Sequence, residues 1–214
     1  MIDLFNLLII LIGSSMLYVS FTYRLEEYIK TLSIQGFLFF LIILLDFDKI
    51  EILNFIFLII ETLIFKTIII PVFLSKILRK NHINREIEPY IPNYYSVIIA
   101  TLVLAFGFFI SYWSNDEFQN IRPLFFGISI SIIINSFIII ITRKKIITHV
   151  IGYMFLENGI FLLSLSIAAE MPIIVNLGML LDIFVGIFLL GIFVNKISST
   201  FEELNIDKLT TLKD

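Results

Sequence analysis

The sequence predicts an all-α protein, a polytopic transmembrane helix bundle of about seven spans with the N-terminus outside and the C-terminus cytoplasmic. Three observations carry this prediction. Hydrophobic residues make up 59% of the 214-residue chain, and the mean hydropathy is +1.02, far above that of a soluble domain. Apolar runs long enough to cross a bilayer alternate with short charged connections. Lys and Arg concentrate in every second connection.

The first span runs from about Leu4 to Tyr23, and the polar stretch RLEEYIK closes it. It starts MIDLFNLLIILIG, with no Lys or Arg before the apolar run and Asp3 where a signal peptide carries positive charge. It therefore reads as a retained helix. The second span, about Thr31 to Leu45, is short and is closed by Asp46 and Asp48. The third, about Ile52 to Leu78, contains Glu61, Lys66 and Pro71. A polar segment, KILRKNHINREIEPYIPN, follows it. The fourth span is about Tyr94 to Trp113, and the fifth about Pro123 to Thr142, with Pro123 favourably placed in a first helical turn. The sixth and seventh form a hairpin over Ile146 to Asn195, joined at Glu170-Met171-Pro172. The tail FEELNIDKLTTLKD leaves the membrane. The organisation expected is a three-helix segment with a cytoplasmic loop (1–92), a fourth span with an external loop (93–120), and a second three-helix segment with the tail (121–214).

The basic residues test this order. Arg24, Lys30, Lys76, Arg79, Lys80, Arg85, Arg143, Lys144, Lys145, Lys196, Lys208 and Lys213 fall on one side, and only Lys49 and Arg122 on the other. That bias marks the first side as cytoplasmic and places the chain as a multi-pass protein of the cell's inner (plasma) membrane. The fifteenth basic residue, Lys66, lies inside a span.

Composition also excludes function classes. A net charge of −3 argues against nucleic-acid binding. The chain has no cysteine, which removes disulfides and cysteine-ligated iron–sulfur clusters. Its two histidines, His82 and His149, lie in or beside connections, so no bis-histidine haem sits within the membrane. No cofactor, metal or catalytic residue is expected in this chain.

The candidate functional residues are ionisable groups at depth. Glu61, Glu157 and Asp182 lie about ten residues into the third, sixth and seventh spans, near the bilayer midplane at 1.5 Å per residue. Lys66 lies slightly closer to the cytoplasm. Charges there are expensive, and several at one depth form the pattern of a proton relay. Burial disfavours the charged form of acids and bases alike, which eases proton exchange. Gly178 and Gly186 lie one turn either side of Asp182 and admit a neighbouring helix or water to it. Asn158 and Asn135 supply supporting polar groups. Glu157, Phe161 and Ser164 share a helical face. Glu61 and Lys66 are five residues apart, about 140° around an α-helix, so each is expected to find its partner on another helix or subunit. Pro71 leaves the Thr67 carbonyl without its helical donor. A static role stands beside the relay: a membrane Asn commonly bonds a neighbour, and Glu61 with Lys66 is also the pattern of a fixed ion pair.

Spans five to seven resemble the K-type (4L) subunit of NADH–quinone oxidoreductase and the C subunit of Mrp antiporters. HVIGYMFLENGIFL is similar to that family's second helix, with Glu157 in the acidic role but set further past the Ile-Gly pair. MLLDIFVGIF and ELNIDKLTTLKD are similar to its third helix and tail, with Asp182 in place of Glu. With Glu61, Lys66 and Pro71 ahead of them, the whole chain resembles the E component of hydrogenase-4-type [NiFe] hydrogenase and formate hydrogenlyase complexes. The resemblance implies a non-catalytic membrane subunit that helps couple redox chemistry elsewhere to proton movement. It implies antiporter-like and quinone-module-like membrane subunits and peripheral hydrogenase-type subunits as partners. A subunit of an Mrp-like cation/proton antiporter and a non-conducting scaffold remain the alternatives.

Overall fold

The structure is a computed structural model and describes residues 2–46, 52–80, 90–117, 122–167 and 191. Among them there is no β-strand. The elements are α1 (Ile2–Phe21), α2 (Leu25–Leu45), α3 (Ile52–Ile59), a π-helix (Ile60–Ile69), α4 (Ile70–Lys80), α5 (Asn93–Glu117), α6 (Pro123–Thr142) and α7 (Ile146–Ile167). The segment α3–π–α4 is continuous. Six helices among the described residues are long and apolar enough to cross a membrane. The expected seventh span, with Pro172, Gly178, Asp182 and Gly186, lies outside the described residues, as does the C-terminal tail.

The second helix differs from its sequence expectation. It begins at Leu25 instead of Thr31 and is 21 residues long, a full crossing. RLEEYIK is the start of a helix because its charges suit one. Glu26 and Glu27 occupy the first turn, where the helix dipole favours acids. Lys30 pairs with Glu27 at 2.7 Å, and Tyr18 of α1 donates to the same carboxylate at 2.9 Å. Pro123 opens α6 as expected.

Exposed side chains fit a bilayer. Near the start of α5, Tyr90, Tyr94 and Tyr95 are exposed, and near its end Tyr112 and Trp113. Tyr95 and Tyr112 are about 26 Å apart along the helix, close to the hydrocarbon thickness, with exposed Leu102, Phe106 and Phe109 between them.

The helices pack as a bundle. The connection Arg143–Lys145 folds α7 back on α6, which also packs against α5. Lipid gives apolar faces no reason to leave it, so association needs close backbone approach. Gly107 and Gly127 provide that approach between α5 and α6. A Cβ on Gly107 would lie 2.5 Å from the Gly127 carbonyl oxygen. Ser131 donates across the same contact to the Val103 carbonyl at 3.0 Å. Helix α1 packs on α2, α5 and α6, and α2 packs on α3–π–α4 and on α7. Helices of the first segment and of the last therefore share one interior.

Helix ends are tied on two opposite faces. On one, Arg122 pairs with Asp46 at 2.6 Å, and its backbone N–H donates to the Ser166 carbonyl at 3.0 Å. On the other, Asn93 donates to the Phe21 carbonyl at 2.7 Å and accepts from the buried Arg143 at 2.9 Å. The second face holds Arg24, Lys30, Lys76 and Arg79, and successive described helices alternate in direction.

Candidate functional site

Three of the four expected ionisable residues meet in the interior. Lys66, on the π-helix, places Nζ 2.7 Å from Glu157 Oε1 of α7 and 3.8 Å from Glu61 Oε1. Relative exposures are 2% for Lys66, 0% for Glu61 and 5% for Glu157, so all three have left solvent and lipid. The fourth residue, Asp182, lies outside the described residues.

Glu61 and Lys66 lie together because the backbone between them is not an α-helix. On an α-helix they would diverge by about 140°. The i→i+5 repeat of the π-helix brings residues five apart onto one face. Ordinary helical periodicity cannot anticipate that. The expectation that Lys66 also seeks another helix holds, since its shortest contact is to Glu157.

Helix α2 supports the unusual segment. A Cβ on Gly36 would lie 2.8 Å from the Lys66 carbonyl carbon and 2.9 Å from the Thr67 nitrogen, so only glycine admits the π-helix this close. The carbonyl of Thr67 accepts from the hydroxyl of Ser33 of α2 at 2.7 Å. The Thr67 hydroxyl donates to the Thr62 carbonyl at 2.7 Å.

A directed hydrogen-bond chain leads away from Lys66. An ammonium only donates, so Asn158 turns Oδ1 toward it at 3.3 Å. The Asn158 amide nitrogen then faces Gln35 Oε1 at 3.0 Å, and Gln35 Nε2 donates to Ser15 Oγ at 2.7 Å. Ser15 ends the chain on the Ile12 carbonyl at 2.6 Å. The chain runs from the π-helix through α7 and α2 to α1. Gln35 and Ser15 were not among the sequence-derived candidates. The signal for Gln35 is its place beside Gly36 inside an otherwise apolar run, LSIQGFLFF.

Aromatic rings close the site. The Phe161 ring centroid is 4.3 Å from Lys66 Nζ and that of Phe39 is 5.8 Å away. The two rings meet edge to face at 5.2 Å. Glu61 is left differently from Glu157: among the described residues neither of its oxygens has a hydrogen-bond partner, and 3.8 Å is too long for one. Asn135 stands apart from the cluster. It is buried and donates to the Ser131 carbonyl of its own helix at 3.0 Å. His149 is half-buried, with Nε2 2.7 Å from the Arg143 carbonyl.

The arrangement can hold a variable number of protons. Two carboxylates and one ammonium, all ionised, carry one net negative charge, and one added proton makes the cluster neutral.

No family model matches the chain, and no solved structure matches it. The uncharacterised protein Rv0085 of Mycobacterium tuberculosis is 25% identical over 137 residues, covering 61% of this chain and 59% of the relative. The aligned part of this chain thus spans less than two thirds of that relative's length.

Proposed function

We propose that this chain is a proton-conducting membrane subunit, with Glu61, Lys66 and Glu157 as relay groups and Asp182 as a further carboxylate on the same route. The observation that carries this reading is the placement of Lys66 between two buried carboxylates on separate segments. Lys66 contacts Glu157 closely and Glu61 loosely. A small movement of its flexible side chain exchanges the strong partner for the weak one, and a proton moves between the carboxylates in the opposite sense. Intramembrane clusters of this kind characterise ion pathways.

The sequence motifs support a setting for this relay. The chain is a non-catalytic subunit of a hydrogenase-4-type complex in the inner membrane, with the N-terminus outside and the C-terminus cytoplasmic. Antiporter-like, quinone-module-like and peripheral hydrogenase-type subunits are its partners, and redox chemistry belongs to them. An Mrp-like antiporter would use the same relay, and measured sodium-dependent exchange without redox subunits would select it.

The test is proton movement in vesicles holding the assembled complex, with Glu157→Gln and Glu61→Gln compared with the unaltered chain. Both substitutions are expected to reduce proton uptake per electron transferred, and unchanged pumping in both removes the relay. A static scaffold is the second reading, and the 2.7 Å Lys66–Glu157 contact favours it. That reading predicts full pumping by Glu61→Gln, because Glu61 lies outside the close pair.

A further inference from the structure

We propose that the groove between α2 and the π–α4 segment binds the phosphodiester headgroup of an anionic phospholipid. The groove has a volume of about 770 Å³ and lies at the end of the bundle that carries most Lys and Arg. Lys30, Lys76 and Arg79 line it together with Ser75. Lys30 is already paired with Glu27 at 2.7 Å, whereas Lys76 and Arg79 form no ion pair among the described residues. The groove therefore presents two uncompensated cations and a third that is partly balanced.

The remaining lining selects a lipid over a soluble anion. Ile68 and Val72 continue the groove toward the middle of the span, and both are exposed, at 52% and 62%. A phosphate at Lys76 and Arg79 would leave that apolar channel empty. A lipid fills both parts, its headgroup on the cations and its acyl chain along Ile68 and Val72. Basic pockets between transmembrane helices recognise anionic headgroups by this combination. A second copy of the chain is disfavoured because it would bring a like-charged surface to the same end. The site is separate from the Lys66 cluster, so the inference does not rest on proton conduction.

The experiment is native mass spectrometry of the full chain in detergent with equal phosphatidylglycerol and phosphatidylcholine. The unaltered chain is expected to retain phosphatidylglycerol in preference. Lys76→Gln/Arg79→Gln should lower that retention on the order of 30-fold. The charge-keeping pair Lys76→Arg/Arg79→Lys should preserve it, as should Lys144→Gln at the same end of the bundle. Equal retention after removing both charges overturns the proposal. So does displacement by inorganic phosphate at the lipid's concentration, which marks a free-anion site. A dimer that forms without bound lipid and is lost in the double variant overturns it in favour of a second copy.

Discussion

Lys66 Nζ and Glu157 Oε1 are 2.7 Å apart across 91 residues of sequence, in a site almost wholly removed from solvent. This contact joins the third membrane segment to the sixth, and the remaining groups of the cluster are arranged around it.

Removing the cation should be more damaging than removing either acid. Lys66→Met removes the buried cation that Glu61 and Glu157 share. Loss of one partner of a buried pair costs about 3–5 kcal/mol. Denaturation in detergent should show a loss of that size. Combining Lys66→Met with Glu157→Gln should restore part of it, and strict additivity of the two effects would show that the contact is not energetically coupled.

Glu61 and Glu157 should separate stability from conduction. Glu61→Gln keeps the close ion pair and replaces a carboxylate that has no hydrogen bonds among the described residues. It is expected to change stability by less than about 1 kcal/mol while lowering proton flux at least about tenfold. Flux measured in vesicles beside the unfolding midpoint checks both halves. A large stability change with unaltered flux would assign Glu61 to the scaffold.

Gln35→Leu should weaken the fold without removing an ionisable group. It leaves Asn158 Nδ2 without its acceptor and Ser15 Oγ without a donor. A buried polar group deprived of its partner costs about 1–3 kcal/mol. Gln35→Glu offers the same acceptor to Asn158 and is expected to recover that contact, and comparing the two unfolding midpoints checks it.

Gly36→Ala should disturb the π-helix directly. The added methyl meets backbone atoms of Lys66 and Thr67, which cannot rotate away. Overpacking of this kind costs about 1–3 kcal/mol. Hydrogen exchange should rise over Ile60–Ile69 and stay unchanged in α5 and α6, where no contact is altered. Uniform exchange across all helices would remove the special role of this contact.

The limits of helical periodicity explain what was legible beforehand. Glu61, Lys66, Glu157 and Asn158 stood out as polar residues inside apolar runs, because the bilayer penalises them whatever their partners. A repeat of 3.6 residues per turn separates Glu61 from Lys66, whereas the chain takes a π-helix there and brings them together. Helix α2 starts earlier than its apolar run because charges suit a first helical turn as well as a connection. The partners of Gln35 and Ser33 are not legible in sequence, since one polar residue in an apolar run says nothing about which carbonyl or amide it will meet.

By itself, the sequence determined that the chain carries repeated helices long and apolar enough to cross a membrane, where most of them lie, and which buried groups demand an explanation. Those properties follow from the transfer of single side chains and backbone segments into hydrocarbon, which each stretch carries with it. Only the tertiary structure decided that Lys66 joins Glu157, that Glu61 is the loosely held acid, and that Gly36 admits the segment bearing both. These depend on the local backbone repeat and on the approach of distant helices, and neither is encoded in the polarity of any one stretch.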